Sequence, residues 1–259
     1  METAVLDIKL WMTHNKLQLN DGKTEVLLIR SQFSRIPRPI DHINIGSCYI
    51  ELVNFARNIG VTFDDNLTFR KHITLTCKSI YYNLRKIGRI RRYLTTKACE
   101  TLVHALISCK LDYCNALLYG LPTKDITPLQ HTQNTAARIV SRTKKFDHIS
   151  PVLKQLHWLP VHYRIQYKIL LVTYKALNNT APSYIAELLH YKVAPRVLRS
   201  SNKDLLHIPK CKLKSYGERA FSRSAPQLWN NLPVELRKSP TLDKFKKDLK
   251  TYLFSRAFQ

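Results

Sequence analysis

Acidic residues are scarce: 18 Asp and Glu stand against 42 Lys and Arg, a formal net charge of +24. None falls between Asp65 and Glu100. Glycine is scarcer still, six in 259 residues, which excludes a Gly-rich linker protein and leaves no loop able to cradle phosphates through glycine backbone. The six cysteines are scattered without a Cys-x-x-Cys pair, so the chain reads as reduced, from cytoplasm or nucleus, and not secreted. Long apolar runs are missing too. Stretches such as Ile169 to Val172 fall far short of the roughly 20 residues a helical span needs. The start, Met-Glu-Thr-Ala-Val, lacks the basic and apolar segments of a signal peptide.

What is present can fold. Hydrophobic residues make up 44% and aromatics 10%, enough for a core. The excess of positive charge repels itself unless a polyanion is near. RNA or DNA is the expected partner, since each neutralised phosphate releases counterions. A membrane surface fits less well, because the charge is spread over several helices and not gathered on one amphipathic segment.

The pattern predicts an α+β chain, mostly α. Residues 3–14 read as a short helix with Val5, Ile8, Trp11 and Met12 on one side. Leu17 and Leu19, then Val26 to Ile29, read as strands joined at Asp21-Gly22 in a hairpin. Residues 31–47, with Pro37 and Pro39, read as loop; Cys48–Leu52 and Ile59–Phe63 read as strands. After Asn66 the period becomes helical. Ile73, Cys77, Ile80, Leu84 and Ile87 mark one inward face. Thr95 is the expected cap of a helix that turns Ala98, Leu102, Ala105, Leu106 and Cys109 inward and ends at Gly120. Thr127-Pro128 and Ser150-Pro151 each read as the start of a helix, and a further helix spans about 162–178. Residues 190–214 read as irregular or extended. Helices return near Tyr216 to Trp229 and after Ser239-Pro240, the last with Leu242, Phe245, Leu249 and Leu253 on one face.

The cations are not evenly spread. Arg70, Lys71, Lys78, Arg85, Lys86, Arg89, Arg91, Arg92 and Lys97 follow one another without an acid, and Tyr81, Tyr82 and Tyr93 are interleaved. A merely solvated helix usually mixes signs to gain pairs one turn apart. Uniform basicity opposite an apolar face points to phosphate contact; a solvated face is the blander alternative. Arg138, Arg142, Lys144 and Lys145 form a second cluster, and Lys210, Lys212 and Lys214 alternate in a third.

Other groupings carry less. Phe63-Asp64-Asp65 has the look of a polymerase hairpin, but two-metal chemistry draws a partner carboxylate from a separate strand upstream. The earlier aspartates, Asp7, Asp21 and Asp41, sit on a helix, in a turn and in a loop, so Asp64 and Asp65 are expected to end a strand and cap the next helix. His104, Cys109, Cys114 and His131 lack the tight spacing of a closed zinc site, and the cysteines read as core; no metal is assigned. No local signature supports a thiol hydrolase. His157-Trp158-Leu159-Pro160 reads as a turn with its Trp inward.

Taken together, four blocks of residues resemble the reverse transcriptases of LINE-type (non-LTR) retrotransposons, of the jockey-like group. The first is Trp11-Met12, Asn15-Lys16-Leu17, Leu19-Asn20 and Lys23-Thr24-Glu25, similar to the segment after the catalytic hairpin. The second is Ile59-Gly60-Val61, Phe63-Asp64, Leu67, Phe69 and His72-Ile73, similar to the primer-grip hairpin entering the thumb. His157-Trp158-Leu159-Pro160-Val161 with Arg164-Ile165 and Tyr167-Lys168 is the third. Tyr216-Gly217, Arg219-Ala220-Phe221-Ser222, Ala225-Pro226, Leu228-Trp229-Asn230 and Asn231-Leu232-Pro233 complete the set. Order and spacing match from about residue 10 to residue 256.

The resemblance implies an RNA-directed DNA polymerase using magnesium. It also implies a palm remnant over 1–65, a helical thumb-like domain over 66–145 and a mostly helical basic domain over 146–259. The family's Tyr-Ala-Asp-Asp hairpin, expected just upstream of residue 1, does not occur in this sequence. Lys23 falls on the family's general-acid lysine, a role that is vestigial without metals. The expectation is therefore a template-primer-binding fragment inactive alone and without a cofactor of its own, with RNA, DNA and a fuller copy of the polymerase as partners. A non-enzymatic basic scaffold for RNA or ribonucleoprotein is the alternative.

Overall fold

The structure, a computed structural model, describes residues 2–31, 42–45, 48–192 and 204–259. Pro37, Pro39 and Pro195 lie outside the described residues. Two compact units result, Met1–His72 and Ile73–Gln259. The architecture is α+β and mostly helical, with two small antiparallel sheets.

In the first unit, helix α1 (Glu2–His14) precedes a 3-10 turn at Asp21–Lys23. Strands β1 (His42–Ile45) and β2 (Cys48–Glu51) pair antiparallel, Ile43 opposite Ile50. Val5 and Val26 pack on these two isoleucines, a thin core. The expected hairpin across Asp21-Gly22 does not form. Lys23 N–H instead closes a turn on the Asn20 carbonyl at 3.0 Å, and Val26 bridges in parallel to Leu52. The local Asp-Gly signal loses to a non-local apolar partner. A strand also occupies 42–45, where proline content suggested loop.

Strands β3 (Phe55–Asn58) and β4 (Val61–Asp64) form the second sheet. Ile59 and Gly60 are its turn, not part of a strand. Both have positive φ, 45° and 77°. The left-handed backbone at both central positions is what a two-residue hairpin needs to match strand twist.

The second unit begins within helix α2 (Arg70–Ile90), which buries Ile73, Cys77, Ile80, Leu84 and Ile87. Helix α3 (Thr96–Val103) is capped by Thr95, whose hydroxyl accepts Ala98 N–H at 3.1 Å. It runs on through a π turn at His104–Ser108 into α4 (Cys109–Asp112). The buried residues here are Cys99, Val103, Ile107 and Leu111, not the expected set. That set leaves Ala98, Ala105, Leu106 and Cys109 exposed. Strict spacing by four drifts about 40° per step on an α-helix, and a π turn takes up the drift.

Helix α5 (Thr123–Ser141) starts a full turn before Thr127, with Pro128 inside. Burial of Ile126 and Leu129 favours the extra turn, and Thr127 Oγ1 donates to the Thr123 carbonyl at 2.8 Å instead of capping. Helices α6 (Ser150–Gln155), α7 (Val161–Leu177) and α8 (Ser183–Ala186) follow, then α9 (Lys214–Gly217), α10 (Phe221–Asn230), α11 (Val234–Arg237) and α12 (Leu242–Ala257). Helix α7 packs on α5, α10 and α12. Tyr174 stacks on Phe245 at 4.3 Å, with Trp229 beside it, and Leu206 closes the cluster. The polar ends are satisfied: Tyr174 donates to the Ser239 carbonyl at 2.8 Å and Trp229 to the Asp204 carbonyl at 3.2 Å. Among the described residues no helix is long and apolar enough to cross a membrane.

Candidate nucleic-acid interface

Helix α2 sorts its residues by chemistry. Opposite the buried stripe, Lys71, Lys78, Tyr82, Arg85, Lys86 and Arg89 share an arc of about 100° at 3.6 residues per turn. All six are exposed. From Lys71 to Arg89 the face runs for about 27 Å at 1.5 Å per residue. With no acid on the helix, these charges cannot be neutralised along it. Arg70 is also exposed and starts the helix, while Arg92 and Lys97 are exposed beyond its end.

The interleaved tyrosines face water. Tyr82 is 58% exposed and Tyr93 72%. Lys86 Nζ sits 4.4 Å from the Tyr82 ring centre, and the Arg92 guanidinium 4.7 Å from that of Tyr93. Each cation covers one face of its ring.

Arg91 does not belong to this surface, contrary to the sequence reading. Its side chain is buried, with Nη1 donating to the Leu94 carbonyl at 2.8 Å, Nε to Ile139 at 2.8 Å and Nη2 to Val140 at 2.7 Å. The α2 stripe ends at Ile90, where a 3-10 turn (Arg91–Tyr93) rotates the chain and turns Arg91 inward. Arg142 Nη2 in turn donates to the Arg91 carbonyl at 3.4 Å. The two basic clusters, some 50 residues apart in the sequence, therefore meet at this corner. Cys99 lies in the same corner. Burial raises its pKa, against the pull of Arg91 and then Arg142.

In the second cluster Arg138 is half-buried, committed to the carbonyls of Lys144 at 3.3 Å and Asp147 at 3.0 Å. It shapes the loop after α5, which leaves less of its charge for a ligand than the sequence reading assumed. Arg142, Lys144 and Lys145 are exposed beside Phe146, itself 92% exposed. Lys210 and Lys212 are exposed as well.

Asp64 is only 5% exposed. Its Oδ1 accepts N–H from Asn66 at 3.3 Å and Thr68 at 2.8 Å, and Oδ2 accepts Phe69 N–H at 2.6 Å. The carboxylate closes the turn into α2, in which Leu67 and Phe69 have positive φ. Both oxygens are directed at backbone donors, so this aspartate does not fit a magnesium site. No group of three or more metal-ligating side chains gathers among the described residues. Lys23 is exposed at its 3-10 turn. Cys109 and Cys114 are exposed rather than core: Cys109 follows directly on the π turn, and Cys114 lies beyond the end of α4 with φ of 50°.

No family model matches the chain, and no curated protein or solved structure does either.

Proposed function

We propose that the chain is a nucleic-acid-binding segment of a LINE-type reverse transcriptase that holds template and primer by their phosphates and does not polymerise by itself. The observation that carries the binding reading is the acid-free, solvent-facing arc of α2, joined at Arg91 to the cluster around Arg142. Contacts of this kind position a backbone and read no sequence. RNA and DNA are the partners proposed. The polymerase assignment itself rests on the four blocks of sequence resemblance.

Fluorescence anisotropy at several salt concentrations tests the binding. Affinity should fall with a slope of about −0.7 per phosphate contact on single strands and −0.9 on duplex. Lys78, Arg85, Arg89 and Arg92 changed together to Gln should flatten that slope and weaken all sequences alike. An unchanged slope would remove α2 as the interface.

The environment of Asp64 favours the second reading, a basic RNA-binding scaffold without chemistry, as far as this segment is concerned. Primer extension on an RNA template with Mg²⁺ or Mn²⁺ tests what the two readings share, that this chain alone does not polymerise. Extension that is lost in Asp64→Ala and Asp65→Ala would make these carboxylates catalytic and overturn the non-polymerising reading.

A further inference from the structure

Asp147 is the only acid between Asp125 and Glu187. Its carboxylate is used to close a turn. Oδ2 accepts the Lys144 N–H at 3.1 Å, and the Asp147 N–H donates to the Lys144 carbonyl at 3.3 Å, a four-residue turn over 144–147. Arg138 holds the same two residues from α5. Its Nη1 donates to the Lys144 carbonyl at 3.3 Å and its Nη2 to the Asp147 carbonyl at 3.0 Å. These bonds fix a loop tip whose residues, Lys144 to His148, are all exposed.

The two central residues of the turn are Lys145 and Phe146. Phe146 is 92% exposed, the highest value for a large hydrophobic residue among the described residues. One exposed apolar side chain is ordinary by itself. This one stands on a pinned turn among cations. Arg142, Lys144 and Lys145 are exposed within four residues of it, and Lys145 Nζ lies 5.7 Å from the ring centre. From Ser141 to His148 no other residue is apolar. The tip also adjoins the α2 surface, since Arg142 donates to the Arg91 carbonyl at 3.4 Å.

We infer that Phe146 is a stacking platform for an unpaired base of a single-stranded nucleic acid, with Arg142, Lys144 and Lys145 on the phosphates either side of that base. Every base has a π face, so stacking on an aromatic ring tolerates any sequence. In a duplex those faces are taken by neighbouring pairs, and the occupant is therefore a single strand or a splayed-out base. A membrane surface fits less well, because one ring among three cations offers little apolar area to bury. Asp147 and Arg138 act as positioning residues that hold the ring out in water. The inference rests on the nucleic-acid reading above and adds to it a preference for single strands, which phosphate contacts alone do not supply.

The experiment titrates the whole chain, by fluorescence anisotropy, with a mixed-sequence single strand of about 12 nucleotides, an abasic strand of equal length and the blunt duplex. Phe146→Ala should weaken the single strand about tenfold and the other two by less than about twofold, with the salt slope and the melting temperature unchanged. Phe146→Trp should keep the single-strand affinity. Phe146→Leu, apolar but without a ring, should bind like Phe146→Ala. Arg138→Gln should weaken the single strand more than the duplex and add less than about twofold to Phe146→Ala, because both act through the same ring. The α2 Gln variant should weaken all three probes.

Unchanged single-strand affinity in Phe146→Ala overturns the stacking inference and leaves the α2 interface standing. An equal loss on the duplex overturns it too, as does a Phe146→Leu variant that binds like the parent. Loss of binding to phosphatidylserine vesicles in Phe146→Ala, with strand binding intact, would assign the ring to lipid instead. Absence of binding to every strand by the parent overturns both this inference and the nucleic-acid reading.

Discussion

The Arg91 guanidinium donates to the carbonyl of Val140, 49 residues on, at 2.7 Å. Val140 and Ile139 lie in the last turn of α5, where carbonyls lack partners within the helix. A cation there completes those bonds and meets the negative end of the helix dipole. One arginine thus locks the end of α2 to the end of α5.

Arg91→Leu should therefore destabilise the second unit by about 3 kcal/mol, since it orphans buried carbonyls and removes charge-assisted bonds. Urea unfolding followed by circular dichroism measures this. Arg89→Gln, two residues away but facing water, should change stability by no more than about 0.5 kcal/mol. Equal losses in the two variants would refute the distinction between a locking arginine and a surface one.

Ile59 holds φ of 45° at the β3–β4 turn and is 80% exposed. A β-branched side chain is strained there, by about 1–2 kcal/mol. Ile59→Asn makes the Asn-Gly pair that this turn prefers and should stabilise the hairpin by about 1 kcal/mol. Hydrogen exchange at the Asn58 and Val61 amides, the paired donors flanking the turn, should slow accordingly. Faster exchange would show that Ile59 contributes packing that outweighs its strain.

Tyr82 lies in the middle of the basic arc, exposed on α2. Tyr82→Ala should weaken single-strand binding by about 1–3 kcal/mol if a base stacks on the ring. Its melting temperature should stay close to that of the parent, because little is buried. The reverse pattern, intact affinity with a lowered melt, would assign Tyr82 to packing.

Burial pushes the Cys77 thiol from 9.0 up to about 11. Its folded form holds the proton more tightly than the unfolded chain. The associated stability is fully present below pH 9 and is lost as pH rises towards 11. Cys77→Ala should therefore flatten the fall in stability over that window relative to the parent. At neutral pH iodoacetamide should modify the exposed Cys109 and Cys114 and spare Cys77. Rapid labelling of Cys77 in the folded chain would contradict its burial.

Local pattern alone decided a good deal here. The buried stripe of α2 from Ile73 to Ile87, the Thr95 cap, the extent of α7 and the inward face of α12 at Phe245, Leu249 and Leu253 all follow from periodicity and cap chemistry, which act within a few residues. So does the outward basicity of α2, because a helix that buries one face must show the other.

What local pattern could not decide depended on partners far along the chain. Arg91 reads like its neighbours until the carbonyls of Ile139 and Val140 arrive beside it. Val26 leaves its expected hairpin because Leu52 is the available neighbour. The inward face of α3 moves by one position because a π turn lets Cys99, Val103, Ile107 and Leu111 stay aligned. Spacing by four was the visible signal for that turn. Nothing in the string marks the side-chain polar atoms of Asn115 and Trp158 as buried without partners. Whether a polar group is satisfied is a sum over everything packed around it, and that sum exists only once the tertiary structure has formed.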